Sequence, residues 1–312
     1  MPNAPLTTAD GQPASRFVFG TMQFGGRADA AASQALFEAS RAAGITHFDT
    51  AHVYTDGASE TLLGRFAAPE RDRLFIATKA GYKGGAARDN ILRTFDESRT
   101  RLGMDSVDLL YLHRWDGDTP LEETFETLAG LQDRGLVRHV GVSNYAAWQV
   151  MKAQAVARSF GTGIDVIQPM YNLVKRQAEV EILPMAATEG IAVQPYSPLG
   201  GGLLSGKYAA GGSGRLTEDD RYAARYAPDW MHEAAAGLVR LAGETGHDPA
   251  TLAVAWVAAH PAVTGPIVSA RSVAQLGPSL AAMGLTLDAD LKARLDALAP
   301  GPAPATDRLE EA

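Results

Sequence analysis

The strongest constraint on this chain is an alternation of strand-like and helix-like stretches kept up almost from end to end. Short runs rich in apolar and β-branched residues lie at 17–19, 46–51, 74–80, 107–113, 139–144, 165–171, 191–199 and 265–270. Helical spacing fills 30–43, 90–102, 121–134, 146–160 and 179–189, and Gly44, Gly103, Gly135 and Gly190 follow four of these five stretches. Glycine tolerates the positive φ with which many helices end. A repeated unit of strand, helix, glycine and strand predicts parallel pairing. Eight such strands predict an α/β architecture closed into a (β/α)8, or TIM, barrel rather than an open sheet.

A length of 312 residues suits one barrel or two ordinary domains. No stretch reads as a linker, so 1–312 is expected to be one domain. The 46% of apolar residues against 21% charged allows a sizeable core. Two segments break the rhythm. Residues 200–229, with GGG, AAGGSG and LTEDDRYAARY, are too long and glycine-rich for an ordinary connection and predict a mobile loop after strand seven. The tail over 300–312 is rich in proline, alanine and charge and is expected to be flexible.

A formal net charge of -8 and a pI near 5.4 argue against nucleic-acid or membrane partners. Cysteine is absent, which removes disulfides, Cys-ligated zinc and a thiol nucleophile. The start, MPNAPLTTADGQPASRF, lacks a basic segment followed by an apolar one, and no apolar run approaches the length of a membrane span. A cytoplasmic location is the expectation. The oligomeric state is left open.

In such a barrel chemistry sits at the carboxyl ends of the strands, so polar residues that end apolar runs are the candidates. Asp49 ends THFD, Lys79 ends LFIATK, His113 ends VDLLYLH, Ser143 and Asn144 end HVGVSN, Gln168 interrupts DVIQPM, and Tyr196 ends IAVQPY. Taken singly, each has an ordinary structural explanation: Asp49 as a helix cap, His113 as a core histidine. Lys79 needs a charge partner if it is buried. Together with Tyr54 they describe a mechanism. A nearby Lys79 is expected to lower the phenol's pKa, Asp49 to keep that lysine charged and oriented, and His113 to hydrogen-bond a substrate oxygen. The set is an acid poised at a carbonyl, and whether the other reactant is hydride, water or an enol proton stays open.

The segments FDTAHVYTDGASETLLG, LFIATKAG, VDLLYLHRWD, GVSNY, IQPMYN and QPYSPLGGGLLSGKY cover most of the barrel in one order. In these the chain resembles the aldo-keto reductase superfamily, and VYTDGASETLLG, SNYAAW and GGLLSGKY are most similar to its aflatoxin-aldehyde and succinic-semialdehyde reductase branch. The resemblance implies a catalytic tetrad of Asp49, Tyr54, Lys79 and His113, with Tyr54 the general acid in reduction. It supplies hydride from a nicotinamide cofactor and a small carbonyl compound as substrate. Ser143, Asn144 and Gln168 are implied to bind the carboxamide, Tyr196 to stack on the nicotinamide, and Ser197, Leu199 and Gly201 to line the pyrophosphate. Ser269, Arg271 and Gln275 are implied at the adenosine end, where arginine favours the 2′-phosphate of NADPH, with NADH the alternative. Lys207, Arg221 and Arg225 are expected to add charge.

This far end departs from the family pattern. SARSVAQLGPS has Ser279, beside Pro278, where relatives often carry asparagine. Trp115, Met22, Phe24, Tyr82 and Tyr226 are candidate walls of a substrate mouth. Gly161-Thr162-Gly163 precedes a strand and so is no dinucleotide fingerprint. His47 and His52 lack zinc spacing, and no catalytic metal is expected. Two alternatives accompany carbonyl reduction: oxidation of a sugar or alcohol by the same tetrad, and a non-enzymatic, cofactor-binding regulatory subunit.

Overall fold

The computed structural model describes residues 6–209, 211–308 and 310. The N-terminal reading at 1–5 and the tail reading at 309, 311 and 312 lie outside the described residues. Eight strands form one sheet: β1 (Val18–Gly20), β2 (His47–Asp49), β3 (Phe75–Ala80), β4 (Val107–Leu112), β5 (Val137–Ser143), β6 (Val166–Gln168), β7 (Ala192–Val193) and β8 (Ile267–Val268). From β1 to β7 each strand pairs in parallel with the next, and β8 pairs with β1. The circuit closes where Ile267 N donates to the Pro195 carbonyl at 2.9 Å and Thr264 N to that of Val193 at 2.9 Å. The sequence reading expected strand seven over 191–199, and it is far shorter. Pro195 has no N–H to continue a ladder, and Tyr196 keeps only an isolated bridge to Met170.

The helices are α1 (Ala30–Ala42), α2 (Ala58–Ala67), α3 (Arg88–Leu102), α4 (Leu121–Asp133), α5 (Ala147–Ser159), α6 (Ile182–Glu189), α7 (Arg215–Glu218), α8 (Asp220–Arg225), α9 (Asp229–Thr245), α10 (Pro249–Ala258), α11 (Val273–Ala281) and α12 (Ala289–Asp296). Helix α10 escaped the sequence reading for a physical reason. It is buried at every position from Ala250 to Ala258, so it has no polar face to impose a period. The segment over 200–229 holds a 3₁₀ turn (Gly200–Ser205) followed by α7 and α8. Among the described residues no helix is long and apolar enough to cross a membrane.

Most of the apolar core lies between the sheet and its helices, while Phe75, Ala77, Leu109, Tyr111 and Val166 form a separate cluster. Tyr111 is fully buried and its hydroxyl donates to Gln194 Oε1 at 2.9 Å. Gly141 on β5 makes room for that ring, because a Cβ there would lie 2.5 Å from two of its carbons. A ring packed on all sides has nowhere to go, so Gly141→Ala is expected to destabilise by about 1–3 kcal/mol through overpacking. Thermal melts check this, with a drop of a few degrees in Tm expected.

Candidate active site

The register brings the strand-end residues together. Asp49 closes β2, Lys79 is the penultimate residue of β3, His113 follows β4 directly, Ser143 closes β5 and Gln168 closes β6. Lys79 Nζ donates to Asp49 Oδ2 at 2.5 Å and to the Thr50 carbonyl at 2.7 Å. Tyr54 comes from the turn Tyr54–Gly57 after β2, and its ring centroid lies 5.0 Å from Lys79 Nζ. The same ring stands edge-on to His113, with centroids 5.8 Å apart. All four residues of the expected tetrad therefore share one end of the barrel.

The turn that carries Tyr54 is strained. Thr55 and Asp56 take left-handed backbone conformations, φ 45° and 51°, and Gly57 follows at 93°. Each non-glycine residue there costs roughly 1–2 kcal/mol. Tertiary bonds hold the turn: Thr55 Oγ1 donates to the Phe24 carbonyl at 2.8 Å and accepts from Ser59 N at 3.0 Å.

Burial dominates the electrostatics. It pushes Asp49 up and Lys79 down, and their mutual attraction, with Glu60 helping Lys79 and the Gln168 bond helping Asp49, opposes both shifts. His113 is pushed down to about 3 by burial and by the Lys79 and Arg114 charges, which leaves a neutral imidazole at physiological pH. Its Nδ1 is buried without a hydrogen-bond partner among the described residues. The expectation that Lys79 lowers the Tyr54 pKa does not hold here. Burial, then the Asp49 charge, raises the phenol well above its ordinary value, with Tyr222 and Tyr196 adding to the rise and Arg215 opposing it. Lys79 spends its charge on Asp49 and sits at the face of the ring.

The residues expected at the nicotinamide form one hydrogen-bonded chain. Tyr196 donates its hydroxyl to Asn144 Oδ1 at 2.7 Å, and Asn144 Nδ2 donates to Ser143 Oγ at 3.1 Å and to the His113 carbonyl at 3.0 Å. Ser143 Oγ donates to the Gln168 carbonyl at 3.0 Å, and Gln168 Nε2 donates to Asp49 Oδ1 at 3.0 Å. Asn144 sits at φ 58°, a left-handed value that asparagine tolerates better than most residues. Gln168 is thus tied to the tetrad's carboxylate.

At the far end, Ser197 (φ 63°) and Gly200, Gly201 and Gly202 all take positive φ, turning the chain back after Leu199. Gln275 is exposed and its Oε1 accepts from Arg271 N at 3.3 Å. Ser269 Oγ is buried and unpartnered among the described residues. Ser279 is also buried, and Thr251 holds the Pro278 carbonyl beside it. Lys207 is pushed down by burial and then by the charge of Arg271, with Arg215 and Arg27 adding to it, so four cations gather here. Glu218 is the anion among them, 2.9 Å from Arg27 and 4.0 Å from Arg271. Sequence reasoning missed Arg27, Arg215 and Glu218. Arg27 lies in the loop after β1, on the same rim as the strand-end residues, and extending that rule into the loops would have found it.

Other expected charges and aromatics are placed differently from one another. Arg221 pairs with Asp219 at 3.2 Å, and Arg225 stacks on the Tyr222 ring at 5.1 Å. Phe24 and Tyr226 are fully buried, so they are packing residues and not walls of an open mouth. Tyr226 instead accepts from Asn172 Nδ2 at 3.3 Å. Tyr82 and Met22 are exposed, Tyr82 with its ring 4.9 Å from that of His113. Trp115 stacks edge-on against Tyr145 and Trp148.

The chain matches the family model described as "Aldo/keto reductase family" over residues 16–300. It is 33% identical over 311 residues to YrpG, an oxidoreductase of Bacillus subtilis (strain 168), covering 92% of this chain and 93% of that protein. It is 34% identical over 279 residues to a probable voltage-gated potassium channel subunit beta of Oryza sativa subsp. japonica, covering 83% and 84%. Against aflatoxin B1 aldehyde reductase member 2 of Homo sapiens the identity is 40% over 197 residues, 61% of this chain and 55% of that one. With the eight-stranded barrel and a match spanning nearly the whole chain, this protein belongs to the aldo/keto reductase family of NAD(P)H-dependent oxidoreductases.

Proposed function

We propose that this enzyme reduces an aldehyde or ketone to the alcohol with NADPH, and that Tyr54 delivers the proton. The observation that carries this reading is a half-buried phenol, edge-on to a neutral His113 and with Lys79 Nζ, itself paired with Asp49, over the face of its ring. When bound, the cofactor supplies a hydride for the carbonyl carbon. Tyr54 and His113 receive the carbonyl oxygen, and as negative charge grows on that oxygen the Lys79 ammonium stabilises it through a dry, low-dielectric site. Tyr54 then gives up its proton to an alkoxide far more basic than a phenol. Asp49 keeps Lys79 charged and oriented throughout.

The residues fit a dinucleotide. Among the described residues Ser269 presents a buried hydroxyl without a partner, and Lys207, Arg27, Arg215 and Arg271 gather around Glu218 in an otherwise acidic protein. Ser143, Asn144 and Gln168 would bind the carboxamide by exchanging bonds they now make within the protein, Tyr196 would stack on the nicotinamide, and Ser197, Leu199 and Gly201 would follow the pyrophosphate. Arg271, Gln275 and Lys207 would hold the adenosine end. The segment over 200–229, tied to the loop after β1 by the Arg27–Glu218 ion pair, would cover the cofactor. Arg271→Ala is expected to raise the NADPH KM about tenfold and the NADH KM much less, because a guanidinium on a phosphate contributes about 1.5–3 kcal/mol. Equal effects on both cofactors would remove Arg271 from phosphate recognition.

Burial and the Asp49 charge keep Tyr54 protonated through the neutral range, the form in which it serves as the acid of a reduction. A screen of aldehydes and ketones followed by NADPH consumption tests the whole reading. Tight NADPH binding with no turnover across a broad panel would point instead to a non-enzymatic, cofactor-binding subunit, the rice relative being named a probable voltage-gated potassium channel subunit beta.

A further inference from the structure

We infer that Arg101 and Glu60 form a clamp that positions Tyr54 over Lys79, making both positioning residues for the proposed reduction. The inference rests on Tyr54 being the proton donor. Neither residue belongs to the expected tetrad, and both lie outside the cofactor residues. Glu60, in the first turn of α2, is a fully buried carboxylate. A buried charge of this kind demands a partner and full hydrogen bonding.

Glu60 has two partners, and each leads to a different tetrad member. Thr78 Oγ1 donates to Glu60 Oε1 at 2.6 Å, and Thr78 immediately precedes Lys79 on β3. Arg101 Nη1, from the last turn of α3, lies 3.2 Å from Glu60 Oε2 and donates to the His52 carbonyl at 2.9 Å. His52 is two residues before Tyr54. Its Nε2 lies 2.7 Å from Glu97 Oε2, and Glu97 is 3.6 Å from Arg101 Nη2, so a second carboxylate on α3 grips the same turn.

Arg101 also supports the turn from beneath. A Cβ on Gly57 would lie 2.6–2.9 Å from the Arg101 Nε, Cζ and Cδ atoms. Gly57 ends the left-handed run of Thr55 and Asp56, so the guanidinium packs directly against the strained backbone that carries Tyr54. Such a run persists only where its surroundings over-determine it. One ion pair therefore ties the turn bearing the acid to the strand bearing the lysine. Misplacing a reacting group by about 1 Å costs on the order of 10²-fold in rate.

The test compares Arg101→Met, Glu60→Gln, their double variant and Arg101→Lys with wild type and Tyr54→Phe, using an aldehyde that the wild type reduces. Measured quantities are kcat and KM at saturating NADPH, NADPH Kd by fluorescence, and the folded fraction at the assay temperature. The two single variants are expected to lose about 10- to 100-fold in kcat with NADPH Kd changed less than about twofold. The double variant is expected to lose clearly less than the product of the two single losses, because both break the shared Arg101–Glu60 pair. Arg101→Lys, or guanidinium ion added to Arg101→Met, is expected to recover part of the loss. Unchanged kcat, strictly multiplicative losses, or losses that follow only the folded fraction would overturn the clamp. If Tyr54→Phe also kept its turnover, the acid assignment itself would fall, whereas loss of turnover in Tyr54→Phe alone would remove only the clamp.

Discussion

Tyr54→Phe is expected to lower kcat for carbonyl reduction by about 10²–10⁴-fold while the NADPH Kd changes less than about twofold. The substitution keeps the ring, and with it the contact to Lys79 at 5.0 Å and the edge-on packing against His113 at 5.8 Å. It removes only the hydroxyl. A thousandfold loss corresponds to about 4 kcal/mol of transition-state stabilisation, a reasonable share for one proton donor acting at a developing alkoxide. The loss should appear in kcat and in kcat/KM alike, because the hydroxyl acts on the transition state more than on the bound substrate. The wild-type enzyme should show kcat flat through the neutral range. Burial holds the Tyr54 pKa high, so the acid form is present there and disappears only as pH rises past that raised value. Steady-state kinetics on both proteins decide the matter, and near-normal turnover in Tyr54→Phe would transfer the proton-donor role elsewhere.

The parts of this molecule legible in the sequence are those written locally. Asp49, Lys79, His113 and Ser143 each stop an apolar run and Gln168 interrupts one, and a parallel barrel places the carboxyl ends of its strands on one rim, so the gathering of these candidates could be read before its geometry. Tyr54 carried no local signal and needed family motifs. The Tyr54 pKa was misread because the sequence puts a lysine in play without saying which group would claim its charge. In the fold Asp49 claims it. Helix α10 and the shortness of β7 were hidden for opposite reasons: one helix has no polar face, and the strand meets a proline at 195. Arg27, Glu218, Glu60 and Arg101 were invisible because their pairings join loops and helices distant in sequence. No spacing rule reports an ion pair between residue 60 and residue 101.

Replacing Lys79 should have the largest effect on stability. In Lys79→Met the Asp49 carboxylate, only 4% exposed, loses its cationic partner and keeps just the Gln168 amide bond among the described residues. Removing one member of a buried pair costs about 3–5 kcal/mol, because the other charge is stranded in a poor solvent. Activity should vanish with it. The penalty has a pH signature whose sign follows from Asp49. Burial already raises its pKa and the Lys79 charge holds it back, so without Lys79 the folded value rises further. A carboxyl group with a raised folded pKa loses stability as pH climbs from its unfolded value to its folded one. The deficit of Lys79→Met should therefore be full at neutral pH and shrink as pH falls through that window. Adding Asp49→Asn removes the stranded charge at all pH values, so the double variant should be more stable than Lys79→Met at neutral pH yet equally inactive. Urea unfolding of the three proteins across pH measures both effects. A deficit independent of pH and untouched by Asp49→Asn would mean that Lys79 stabilises the barrel through packing rather than through its charge.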